Sequence, residues 1–384
     1  MKRDLHFDAR DIPSAARLGL SGRKIWAFFK ATVLSWAVWT AAVYLGFLAA
    51  DPAGLGARWE SGRLLPLPSG VFWMSWQAVG LLSVGLLTIV GIQMKTFLEV
   101  SRMTFEQIRG DDFYSGRDAR KFSRGHWKPL AAVPAALLAA LALAVLSGAL
   151  LGLVTRIPSA GPVIFGLLAV PAWGLSLLCV LAATALALSF PLVPAIVAST
   201  RGDTYETIFE LFSTITSQPW RMALYFLTAL VTRAAAMAVF LAFSSAAAGF
   251  LGWTTGIGLG RNPAGALAGG LQVVAPELAG RFAVSFDVLG LAGGTDPFPG
   301  PAGAVTALAG VAIVLVAVSY WLSSCSSAWT LIYICIRRRK DGEDLLARAD
   351  EEDFREFQRL YGSADESSRG AGEAQEACGQ GGEG

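Results

Sequence analysis

The chain has 384 residues, of which 54% are hydrophobic and 16% charged, with a formal net charge of +2 and a mean hydropathy of +0.52. Soluble domains are about a quarter charged, so this balance excludes a water-soluble globular protein. Two histidines and four cysteines, none of them clustered, argue against a zinc-type site and a disulfide scaffold.

Residues Met1–Lys24 are polar and mixed in charge, and read as a short cytoplasmic arm. Six apolar segments follow, at Ile25–Ala50, Val71–Leu98, Leu130–Val154, Val163–Ser189, Met222–Trp253 and Ala302–Ile336. Each has the roughly 20 apolar residues that a helix needs to cross a bilayer core. The first is too long for a signal-peptide core and carries Lys30, so it is expected to remain as the first span.

The loop 101–129 has more pattern than a linker. Asp111, Asp112 and Ser115 offer N-caps to a helix over Gly116–Arg124, where Ala119 and Phe122 face one way among Arg117, Arg120, Lys121 and Arg124. With Trp127 and Lys128 at its end, this is either a basic helix lying on the inner leaflet or a solvated helical hairpin. Pro191 and Pro194 are expected to break the fourth segment near its inner end. A second short helix then begins at Asp203 or Thr204, carries Ile208, Leu211, Phe212 and Ile215 at helical spacing, and stops at Pro219 before Trp220-Arg221. The two loops share Arg-Gly-Asp, Phe-Ser and Trp-Lys or Trp-Arg pairs at offsets of 92, 90 and 93. Two parallel units of span, surface helix and span would produce that, and coincidence is the simpler account. The long Gly- and Pro-rich loop Thr254–Pro301 is expected outside, with a short helix over Gln272–Ala283. After the last span come Arg337-Arg338-Arg339-Lys340, a charged helix over Asp341–Tyr361, and a disordered tail from Gly362 to Gly384.

Lys and Arg mark the topology. The 1–24, 99–129, 199–221 and post-336 stretches hold 23 of them, against 5 in the three alternate gaps. The positive-inside rule then puts both termini in the cytoplasm. The expected fold is all-α, a polytopic helical membrane protein with six transmembrane helices and short cytoplasmic amphipathic helices.

Chemistry is scarce in the sequence. No phosphate-binding loop, His-Glu-x-x-His or Gly-x-Ser-x-Gly motif occurs, and no acid lies within the six segments. No enzyme activity, cofactor or nucleic-acid partner is expected. Asn262-Pro263-Ala264 has no second copy between spans two and three, so a water channel is set aside. Both Arg-Gly-Asp triplets fall on the cytoplasmic side, which removes an adhesion role. Arg233 lies either in the hydrocarbon, needing a polar or anionic partner, or at the inner headgroups. Ser319, Ser323, Ser326 and Thr330 recur at steps of 4, 3 and 4. Such a stripe suits close helix contact, and the other reading is the lining of a polar cavity. Arg337, Arg338, Arg339 and Lys340, with Arg120, Lys121 and Arg124, are candidate contacts for anionic lipid headgroups.

Four motif strings resemble a family of uncharacterised bacterial inner-membrane proteins of about six spans. They are Arg117-Asp118-Ala119-Arg120-Lys121-Phe122 leading to His126-Trp127, and Pro191-Leu192-Val193-Pro194-Ala195-Ile196. The others are Tyr205 leading to Ser217-Gln218-Pro219-Trp220-Arg221, and Tyr333 leading to Arg337-Arg338-Arg339-Lys340-Asp341-Gly342. The resemblance implies the fold and a bacterial inner membrane, and carries no activity. That family has an acid after Pro-Ala-Ile where this chain has Ala198-Ser199-Thr200, so no ionic role is implied there. The leading expectation is a non-enzymatic membrane component that binds lipid or protein partners, a second copy of the chain among them, through its basic cytoplasmic face. The alternative is a transporter or channel for an uncharged or anionic solute.

Overall fold

The computed structural model describes residues 6–158, 160–259, 301–342 and 345–347. In chain order the helices are α1 (Ser14–Gly19), α2 (Gly22–Ala50), α3 (Leu55–Gly62), α4 (Trp76–Arg109), α5 (Gly116–Gly125), α6 (Trp127–Val154), α7 (Ala160–Thr200), α8 (Thr204–Ser217), α9 (Pro219–Leu259) and α10 (Pro301–Asp341), with a 3-10 turn at Gly70–Met74. All regular structure among the described residues is helical, and six of these helices are long and apolar enough to cross a membrane. The chain is an all-α multi-pass membrane protein. The expected helix over Gln272–Ala283 and the end of the charged helix after Ala347 lie outside the described residues.

The six long helices follow the apolar segments but overrun them. Val71–Met74 forms the 3-10 turn, and α4 starts only at Trp76, where the Ser75 hydroxyl accepts the Ala78 N–H at 3.4 Å. At its other end α4 continues past Leu98 to Arg109, with Val100, Met103, Phe105 and Ile108 buried. It stops at Gly110, whose φ of 107° is open to glycine. There the N–H of Asp111 reaches back to the Glu106 carbonyl at 3.0 Å and that of Gly110 to Gln107 at 3.3 Å, a Schellman cap.

The expected break at Pro191 and Pro194 does not occur. Pro171, Pro191 and Pro194 all lie inside α7, which runs without interruption to Thr200. Each proline removes a backbone donor, but Leu192 to Ala198 are enclosed by neighbouring helices, which hold the segment in shape.

The N-terminal arm is folded against the bundle. Residues 14–19 form α1, which packs chiefly on α10, with Ile12, Ala15 and Leu18 buried in the main core. That core joins α1, α4, α6, α7, α8, α9 and α10 at one end of the bundle, called here the capped end. A separate cluster of Val43, Phe47, Phe72, Ala78 and Leu82 secures the 3-10 turn near the opposite end.

The two short amphipathic helices form where the sequence places them. The hydroxyl of Ser115 accepts the Asp118 N–H at 3.1 Å and caps α5, whose Ala119 and Ser123 are buried. In α8, Leu211 and Ile215 are buried, with Ile208 and Phe212 packed beside them. Long, short and long helices therefore occur twice in order. Sequence matching pairs Gly110 with Gly202, however, whereas the left-handed residue after α7 is Arg201, with φ 57°. Turn and motif are out of step by one residue, which weakens the repeat.

Candidate functional site

The polar stripe read from the sequence lies on α10 and faces protein. Ser323 donates to the Gly19 carbonyl at 2.8 Å, and the Tyr320 hydroxyl to Ala16 at 3.4 Å. From α2, Lys24 Nζ donates to the Leu18 carbonyl at 3.0 Å. Three of the carbonyls that a helix end leaves unpaired in α1 thus gain donors from the bundle. A Cβ on Gly19 would stand 2.6 Å from Ser324 Cα, so α1 and α10 meet as closely as backbones allow. Further along, Ser326 donates to the Phe97 carbonyl at 3.2 Å and meets the Ser101 hydroxyl at 3.0 Å. Ser327 meets Thr104 at 3.1 Å. Ser319 and Thr330 turn back to their own helix, to Leu315 and Ser326.

Arg233 on α9 is 5% exposed and points into the α9–α10 contact. Its Nε donates to Ser324 Oγ at 3.3 Å and its Nη2 to the Trp321 carbonyl at 3.2 Å. The guanidinium also sits 4.2 Å from the Trp321 ring centroid. Sequence reasoning offered hydrocarbon or headgroups as its surroundings. The structure gives it polar partners within the protein, beside Ser324 but apart from the Ser323 and Ser326 contacts, and either depth allows that.

Two acid-centred clusters escaped sequence reasoning. Glu106 pairs with Arg102 and, at 2.8 Å, with Arg109, all three on the extension of α4. Arg102 also donates to the Ala198 carbonyl at 2.8 Å and lies over the rings of Phe105 and Phe122. The second cluster joins α8 to α10. Glu210 pairs with Arg337, which also meets Asp341 at 2.7 Å, while the Tyr333 hydroxyl donates to Glu210 at 3.4 Å. The spacing of Arg102, Glu106 and Arg109 was a usable helical signal, had α4 been extended. No local signal links Glu210 to Arg337.

The candidate headgroup contacts divide into two sets. Arg120, Lys121 and Arg124 point outward from α5, beside exposed Arg117 and Trp127. The α10 cluster is engaged within the protein. Arg337 is taken up by Glu210 and Asp341, Arg338 lies 5.2 Å from the Phe7 ring, and Lys340 lies 3.7 Å from Asp341. Arg339 pairs with Asp8 and donates to the Phe7 carbonyl at 3.1 Å. At the start of α2, Arg23 donates to the carbonyls of Asp112, Phe113 and Tyr114 at 2.8, 3.2 and 3.0 Å, fixing the turn that presents α5.

Compared with protein-family models, curated proteins and solved structures, the chain matches none.

Proposed function

We propose that this chain is a non-enzymatic component of a bacterial inner membrane, with both termini in the cytoplasm, that binds anionic lipid or a protein partner through its basic end. The observation that carries this reading is the build of α5. Its small side, Ala119 and Ser123, is buried, so Arg117, Arg120, Lys121 and Arg124 are held outward on one rigid helix beside exposed Trp127. A tryptophan next to clustered arginines suits the headgroup layer, where each basic residue contributes about 1 kcal/mol of attraction to anionic lipid. The resemblance of the four motif strings to bacterial inner-membrane proteins supports the location.

The test is purification of the full chain in mild detergent, with mass spectrometry of everything retained. Anionic lipid enriched over the source membrane, and reduced in an Arg120→Gln, Lys121→Gln, Arg124→Gln variant, is the expected result. Retention of a stoichiometric protein that the variant loses would assign the face to that partner. Retention of neither would refute the reading. A solute path along Arg233 and the α10 stripe is the weaker alternative, because those groups are engaged in helix contacts. Reaction of Cys325 with a small polar thiol reagent would revive it.

A further inference from the structure

We infer that the hollow between the N-terminal segment, the start of α9 and the end of α10 is a site for the headgroup of one anionic phospholipid. The inference rests on the basic-end reading and names a site that α5 does not include. The hollow measures about 260 Å³ and is lined by Asp8, Arg10, Arg221, Leu224, Tyr225 and Arg339, among others. Three arginines from three separate parts of the chain therefore line the hollow with one carboxylate. Asp8 is already paired with Arg339, which leaves the hollow cationic. Arg221 has a neutral partner, the Gln218 amide oxygen at 3.2 Å. Arg10 makes no hydrogen bond or ion pair among the described residues. Guanidinium groups bind phosphate through paired, charge-assisted hydrogen bonds, so this set suits a phosphodiester.

The surroundings select a lipid over a free anion. Arg221 is the third residue of α9, directly after Trp220, which is 81% exposed. From the rim of the hollow, Leu224, Leu227 and Val231 run up one face of α9, all exposed. A phosphate seated among the arginines would thus have its glycerol beside Leu224 and its acyl chains along that apolar face. Headgroup charge and hydrocarbon track lie in the order that a bilayer leaflet requires.

The experiment is native mass spectrometry of the full chain in mild detergent, titrated with phosphatidylglycerol, phosphatidylcholine or inorganic phosphate. One phosphatidylglycerol is expected to bind in preference to phosphatidylcholine. Arg10→Ala with Arg221→Ala is expected to weaken it by at least about tenfold. Both side chains lie at the surface, and an unchanged melting midpoint shows that the variant is folded. The Arg10→Lys, Arg221→Lys variant keeps the charge and is expected to recover part of the affinity. Arg120→Gln, Lys121→Gln, Arg124→Gln is expected to leave this one lipid in place while reducing the weaker, salt-sensitive adducts. Equal binding of the two lipids, undiminished binding in the alanine variant, or displacement by inorganic phosphate as effectively as by lipid would each overturn the site. If only the α5 variant loses lipid, the site fails and the basic-end reading stands. If no preference for anionic lipid exists anywhere, both fail.

Discussion

The capped end and the opposite half of this bundle meet different solvents, and their packing differs accordingly. At the capped end α1, α5 and α8 cover the ends of the long helices, and Lys24, Arg102, Glu106 and Glu210 are all buried there with polar partners. In the other half, the large apolar side chains of α6, α7 and α9 face outward, with Leu143 68%, Val170 76% and Phe243 75% exposed. Lipid tails are as apolar as leucine, so an outward leucine in a bilayer gains little by finding a protein partner. A charge removed from water must find one, at the cost of several kcal/mol otherwise. Side-chain specificity in this fold is therefore concentrated where charge is enclosed.

The largest effect is expected from removing one centre of an enclosed charge cluster. Glu106→Ala removes the carboxylate that pairs with both Arg102 and Arg109, and Glu210→Ala removes one of the two carboxylates that pair with Arg337. Removing one partner of a buried pair costs about 3–5 kcal/mol. Each variant is therefore expected to lower the melting midpoint in mild detergent by about 5–10 °C. A midpoint equal to that of the unmodified chain would mean that water or the remaining partners satisfy these arginines, and the capped end would lose its distinction.

Gly19→Val comes next, because any Cβ there collides with the α10 backbone. Forcing a side chain into such a contact costs about 1–3 kcal/mol. With α1 displaced, Ser323, Tyr320 and Lys24 lose their carbonyl acceptors. Faster tryptic cleavage at Arg10 and Arg17 is the expected readout. Gly22→Val is the matched control, since nothing lies within 4 Å of its added Cβ. Equal cleavage of the two variants would show that α1 is not held by this contact.

The same division explains which features were legible in the sequence. Hydrocarbon-facing helices announce themselves through length and composition, so all six long helices lie on the expected segments. α5 and α8 were legible from Ser115 as a cap and from the Ile208, Leu211, Phe212 and Ile215 spacing. α1 was not, because six residues with a single charge are too few to show a period of their own, and their helix is held by distant Ser323 and by the close approach of Gly19 to Ser324. The Pro191 and Pro194 signals pointed to a break because local chemistry favours one, and enclosure by neighbouring helices overrode it. The burial of Glu106 and Glu210 had no such signal, because they are covered by elements that only the tertiary fold brings over them.

Arg233 tests the boundary between the two halves. Arg233→Leu removes donors to Ser324 Oγ and to the Trp321 carbonyl, but these two already bond to each other at 2.9 Å. Little is left unsatisfied, so the expected loss is about 1–2 kcal/mol, well below that of Glu106→Ala. A loss equal to the charge-cluster variants would assign Arg233 to the same class as Arg102.

The smallest effect belongs to the outward face. Leu143→Ala and Val170→Ala, compared with the unmodified chain in lipid nanodiscs, are expected to change stability by no more than about 0.5 kcal/mol, because lipid refills the space that each side chain leaves. This prediction has force because a large loss would have only one physical source. Truncating a side chain costs several kcal/mol when rigid neighbours cannot collapse onto the cavity, and fluid hydrocarbon is not such a neighbour. Destabilisation comparable to that of Glu106→Ala would therefore mean that a protein surface covers α6 or α7. The contrast between the two halves would then describe an isolated chain, and the partner would be sought along that apolar face, away from the basic end.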